Sequence, residues 1–72
     1  MDDYKKRLID ERNQLKIRIE LLDNFLEKIL EDKKQFNFIG VYQLELLQKQ
    51  HSIMKDYLEI LEERIEVEKI EN

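Results

Sequence analysis

Leu8, Leu15, Leu22 and Ile29 stand seven residues apart, and Leu47, Met54 and Leu61 repeat the interval in the second half of the chain. Seven residues return a side chain to the same face of an α-helix after two turns, so each half reads as one long helix with an apolar stripe. Ile19 and Leu26 lie beside the first series, and Leu58 and Ile65 beside the second. The chain has no proline and a single glycine, Gly40, and its many Leu, Ile, Glu and Lys residues are compatible with unbroken helix. The expected fold is all-α: an antiparallel two-helix hairpin in one domain, with a helix over 3–32, a turn over 33–41 and a helix over 42–69. Asp2 or Asp3 is expected to cap the first helix. The turn falls where Asn37 and Gly40 flank Phe38 and Ile39, because Gly40 alone takes a positive φ without strain. Phe36, Phe38, Ile39 and Val41 are expected to plug the end of the assembly, since fully burying such a side chain contributes about 1.5 to 3 kcal/mol.

The second helix carries more apolar residues than one neighbour covers. Leu46, Ile53, Ile60 and Val67 form a further series at intervals of seven, and Leu44 and Tyr57 widen it. Chains below about 70 to 80 residues seldom hold a sufficient core without disulfides, a metal or self-association. This chain has 72 residues, no cysteine and one histidine, so neither a disulfide nor a thiolate or multi-histidine metal site is available to it. The surplus stripe therefore points to a helical homo-oligomer.

Several function classes drop out. One serine, Ser52, with no threonine, no cysteine and no glycine-rich phosphate loop, leaves no nucleophile and base pairing, so no enzyme is expected. Glu62 and Glu63 read as ordinary solvated helix surface, and His51 as a hydrogen-bonded residue at the margin of the seam. The net charge of −4 argues against binding a DNA or RNA polymer. No apolar run reaches the length of a membrane span and the N-terminus lacks a signal core, so a cytoplasmic protein with no membrane partner is expected.

Charge is distributed unevenly. Residues 5–18 hold six basic side chains against Asp10 and Glu11, and residues 59–71 hold six glutamates against Arg64 and Lys69. An antiparallel hairpin lays these segments side by side, and simple complementarity is one reading of them. The other begins from helical geometry, which places Tyr4, Arg7, Glu11, Arg18 and Phe25 within a sector of about 60°. Tyr4 can stack on a base while Arg7 and Arg18 grip phosphate oxygens. Glu11 and Arg18 also occupy positions suited to an intersubunit ion pair.

The segments "YKKRLIDERNQL" and "LLDNFLEKI", with the spaced pattern Gln43, Leu46, Leu47, Gln50, Met54, Tyr57, Ile60, Leu61, Arg64 and Ile65, resemble the second family of anti-CBASS sponges, which includes small proteins related to a crAss-like phage protein. The resemblance covers residues 4–65. It implies a compact helical homo-hexamer that holds cyclic dinucleotides at its subunit interfaces, with separate cyclic trinucleotide pockets in some members. It also implies a phage immune-evasion protein in the host cytoplasm that sequesters a defence signal without chemistry or cofactor. Tyr4 corresponds to the family's base-stacking tyrosine, and Arg64 to an arginine near the end of the last helix. Where the family places a phosphate-binding lysine and a small hydroxyl residue, this chain has Leu21 and Asp23, with Arg18 almost one turn earlier as a substitute. The alternative expectation is a helical oligomer that binds a host or phage protein and no small ligand.

Overall fold

The computed structural model describes residues 3–69. They form three helices: α1 (Asp3–Glu31), α2 (Lys33–Ile39) and α3 (Val41–Val67). Asp3 opens α1 as the acidic residue of its first turn, where negative charge complements the exposed N–H groups and the helix dipole. The other candidate cap, Asp2, lies outside the described residues.

The segment expected to be a turn holds a helix of its own. Asp32, with φ −114° and ψ 110°, leaves helical geometry, and its side chain accepts a 2.9 Å hydrogen bond from the Lys34 N–H. This N-cap supplies an acceptor to one of the otherwise unpaired donors of a new helix. The helix then runs until Gly40, whose N–H bonds the Phe36 carbonyl at 2.9 Å. Gly40 takes φ 85° and ψ 158°, a conformation essentially restricted to glycine, and this reverses the chain into α3.

Contacts between α1 and α3 join early residues of one to late residues of the other: Tyr4 with Arg64, Glu11 with Tyr57, and Asp23 with His51. The long helices thus run in opposite directions. Their apolar stripes meet in two clusters. Leu8, Leu15, Leu61 and Ile65 form the first, with Ile9, Ile19, Met54 and Leu58 against it. Leu26, Ile29 and Leu44 form the second, with Leu22, Phe36, Ile39 and Leu47 around them. Leu44, expected on the surplus surface, belongs to this core because α2 packs against the start of α3 and closes over it. Of the four residues expected to plug the end, Phe36 and Ile39 do pack inward, whereas Phe38 is 88% exposed and Val41 58%. Within α2, Phe36 and Ile39 face the core while Phe38 points outward, and Val41, the first residue of α3, lies beyond the reversal at Gly40.

The result is a rod of 50 × 15 × 15 Å with a radius of gyration of 15.7 Å, against about 11 Å for a compact domain of this length. It exposes 6046 Å², whereas a compact protein of this mass exposes about 4,800 Å². The series read as surplus lies in that excess: Leu46 is 40% exposed, Ile53 67%, Ile60 52% and Val67 79%. Helix α1 also turns Ile17, Leu21 and Leu30 outward, so exposed apolar surface is found on both long helices.

Candidate functional site

On α1, Tyr4, Arg7, Leu8 and Glu11 follow the spacing that brings side chains to one helical face. On α3, Tyr57, Ile60, Leu61 and Arg64 do the same. Leu8 and Leu61 enter the core, and this fixes the polar residues beside them along one edge of the helix pair. Arg64 Nη2 donates a 2.9 Å hydrogen bond to the Tyr4 hydroxyl, and the guanidinium carbon stands 5.9 Å from the centre of the Tyr4 ring, within cation–π range. One turn pair along, the Tyr57 hydroxyl donates to Glu11 Oε2.

The electrostatics follow these contacts. Donation to Glu11 holds the Tyr57 phenol above its ordinary pKa; desolvation and the Glu11 charge act in the same sense, and Arg64 opposes them. Its hydrogen bond to Tyr4, and its attraction to the same group, raise the pKa of Arg64 further; desolvation opposes them, and Glu11 and Tyr57 add to the rise. Arg64 is therefore a permanent cation. Among the described residues, Arg7 uses its Nε alone, in a 3.4 Å hydrogen bond to the Asp3 carbonyl.

Tyr4, Arg7, Leu8, Glu11 and Arg64 line a shallow cavity of about 250 Å³. An adjoining hollow of about 230 Å³ lies among Tyr4, Ile60, Glu63, Arg64, Val67 and Glu68. Tyr4 and Arg64 thus stand where the polar edge meets the exposed apolar series of α3. Larger hollows of about 560 and 360 Å³ lie around Phe25 at the other end of the rod. The first sets one cation, Lys28, against Glu31 and Asp32, as the hollow at Val67 sets Arg64 against Glu63 and Glu68, whereas the hollow of Tyr4, Arg7 and Arg64 holds two cations against Glu11 alone and so suits an anionic ligand best.

Of the residues singled out from sequence, Tyr4, Arg7 and Arg64 come together and Arg18 does not. It lies about 16 Å further along α1 than Arg7 at 1.5 Å per residue, and lines neither hollow. Phe25, in the same angular sector, is about 31 Å from Tyr4 along the axis. Asp23 turns to His51, whose Nε2 is 3.1 Å from its Oδ1. The nitrogen is nevertheless buried without a hydrogen bond, because proximity alone does not align N–H and acceptor. His51 is therefore a boundary residue beside Asp23, and among the described residues the hydrogen bond expected of its Nε2 is not formed. Leu21 is 64% exposed.

Two features escaped the sequence reading. Tyr57 belongs with Glu11 as a hydrogen-bond donor, a pairing signalled only by the matching interval of seven between Tyr4 and Glu11 and between Tyr57 and Arg64. Arg12 is 8% exposed; its Nε donates to Asn13 Oδ1 at 2.8 Å and its Nη1 is 3.9 Å from Glu62 Oε2. Nothing in the local pattern distinguishes it from its exposed basic neighbours.

Among the described residues, no group of three or more His, Cys, Asp or Glu side chains is placed to hold a metal ion, and no helix is long and apolar enough to cross a membrane. No curated protein and no solved structure gives a significant match. The Sequestin family matches residues 2–67, nearly the whole chain, and its name denotes sequestration, a binding role. The chain belongs to the Sequestin family, in agreement with its resemblance to the anti-CBASS sponges.

Proposed function

We propose that this chain is a phage immune-evasion protein of the host cytoplasm, which assembles from hairpin subunits into a homo-oligomer, a hexamer by resemblance, and sequesters a cyclic di- or trinucleotide or a related nucleotide signal of bacterial anti-phage defence. No reaction on the ligand is involved. The observation that carries this reading is the meeting of Tyr4, Arg7 and Arg64 around one hollow. An aromatic ring offers a face to a base, and guanidinium groups bind phosphate oxygens in a fork. The adjoining hollow includes Ile60 and Val67, so a second copy packed on the exposed series of α3 would wall the site and exclude water from it. Arg18 enters the same proposal as a phosphate contact supplied by a neighbouring copy, since on its own chain it is too far along α1.

The surface excess supports assembly. The chain exposes on the order of 1,200 Å² more than a compact protein of its mass, and a standard interface buries about 800 Å² per partner. A thermal-shift panel of cyclic di- and trinucleotides tests the reading. A ligand at 100 times its dissociation constant stabilises the fold by about 2.7 kcal/mol, so the signal bound should raise the unfolding midpoint. No shift with any cyclic nucleotide or ADP-ribose-derived signal would overturn sequestration of a nucleotide and favour the protein-binding alternative.

A further inference from the structure

Arg7 and Glu11 stand four residues apart on α1, the interval at which opposite charges on a helix ordinarily pair, and both line one hollow with Arg64. Glu11 nevertheless pairs with neither arginine. Among the described residues, the carboxylates within salt-bridge distance of a basic side chain are Glu62, beside Arg12, and Asp23, beside His51. Glu11 Oε2 instead accepts the hydrogen bond of the Tyr57 hydroxyl, from the opposite helix. The phenol is held above its ordinary pKa by that bond, so it keeps its proton, and remains a donor, throughout the neutral range. Arg7 gives its Nε to the Asp3 carbonyl and Arg64 its Nη2 to the Tyr4 hydroxyl. Both acceptors are neutral groups, so no described carboxylate compensates either positive charge in a direct ion pair.

We infer that Tyr57 is a positioning residue for this site: its hydroxyl holds Glu11 off Arg7 and Arg64 and so leaves both cations open to the phosphates of a nucleotide. The inference rests on the nucleotide-binding function proposed above and adds to it a residue that lines neither hollow. The physical reason is competition. A carboxylate and a phosphate oxygen seek the same guanidinium N–H groups, and a carboxylate carried on the same chain competes at a high effective concentration. The charge of Glu11 already acts on Arg64, so the two are near enough to interact. Core packing holds the latch in place. Leu8 and Leu61 are 3% and 0% exposed, and they fix the helix faces on which Glu11 and Tyr57 stand. Remove the Tyr57 hydroxyl, and Glu11 loses the one donor that engages it among the described residues. The guanidinium groups of the same hollow are then the donors at hand, and pairing with either one neutralises a phosphate-binding charge.

The test is a double-mutant cycle on the whole chain, with Tyr57→Phe, Glu11→Gln and the two combined, each titrated with cyclic di-AMP, cyclic tri-AMP and cyclic ADP-ribose. Tyr57→Phe should weaken whichever of these the wild type binds by about twofold to fivefold, the size of effect that an exposed ion pair exerts. Glutamine has no charge to set against an arginine, so in the Glu11→Gln background the same Tyr57→Phe change should cost nothing. A purely structural role for Tyr57 makes the opposite prediction, an equal loss in both backgrounds. The ligand-free proteins give a second readout. The Nε–H resonance of Arg7 or Arg64 in a nitrogen-15 spectrum should move in Tyr57→Phe and return towards its wild-type position in the double variant. Undiminished binding by Tyr57→Phe, or an equal loss in both backgrounds, would overturn the positioning role and leave nucleotide sequestration standing. Binding of none of the three probes by the wild type would overturn the nucleotide reading and this inference with it.

Discussion

Arg64 and Tyr4, sixty residues apart in the chain, are joined by a 2.9 Å hydrogen bond at one end of the rod, and the guanidinium carbon also stands 5.9 Å from the centre of the aromatic ring. The link fixes the first turn of α1 to the last turns of α3. In the proposed nucleotide site it would also pre-orient two groups for different purposes, the ring for a base and the guanidinium for phosphate. Less side-chain freedom then has to be lost when a ligand arrives.

Tyr4→Ala should reduce cyclic nucleotide affinity by roughly fivefold to a hundredfold or more, because base–aromatic stacking contributes about 1 to 3 kcal/mol per base. Tyr4→Phe keeps the ring and loses only the hydroxyl that receives Arg64, so it should retain much more of the affinity. Titration calorimetry separates the two variants, and undiminished binding by Tyr4→Ala refutes the stacking role.

The Tyr57–Glu11 contact should give stability an alkaline dependence. The phenol is held above its ordinary value in the folded chain, which lies near pH 10 when unperturbed. The stabilisation from this contact is fully present below the unfolded-state value and is lost as the pH rises through the folded-state value. Urea midpoints of the wild type and Tyr57→Phe should therefore differ most near neutrality and converge at strongly alkaline pH. A difference that stays constant across that range would show that the contact does not depend on the phenol proton.

Introducing charge into the exposed α3 series should dissociate the proposed assembly without unfolding the subunit. Ile53 and Ile60 are 67% and 52% exposed, so glutamate at both positions costs the isolated rod little and places like charges across any interface they form. Light scattering should report a reduced mass while circular dichroism stays helical. An unaltered mass would remove this stripe from the interface.

Gly40→Ala should destabilise the chain by about 1 to 3 kcal/mol, the usual cost of strained backbone conformations. A Cβ at this position meets nothing within 4 Å, so the entire effect comes from φ 85° and not from crowding. Denaturant titration measures it, and a neutral substitution would mean that the reversal into α3 tolerates another geometry.

The heptad series made the two long helices and most of their core readable, because apolar periodicity reports directly which face is buried. Leu8, Leu15, Leu61 and Ile65 illustrate this. Helix α2 was hidden, since its start depends on the Asp32 cap rather than on any repeating pattern. Leu44 was misplaced for the same reason: its cover comes from α2. For the site, angular position alone grouped Arg18 and Phe25 with Tyr4, but azimuth carries no information about distance along a helix. The pairing of Tyr57 with Glu11 required the register between the helices, and register is set by the packing of side chains on both.

The most direct test of sequestration is to saturate the purified protein with each member of a panel of cyclic di- and trinucleotides and ADP-ribose-derived signals, remove free ligand, denature the complex and identify what is released. The account predicts stoichiometric recovery of at least one of these signals, chemically intact, from the wild type and a marked loss from Tyr4→Ala. Failure to retain any member of the panel, or its release as a cleaved product, would contradict the account.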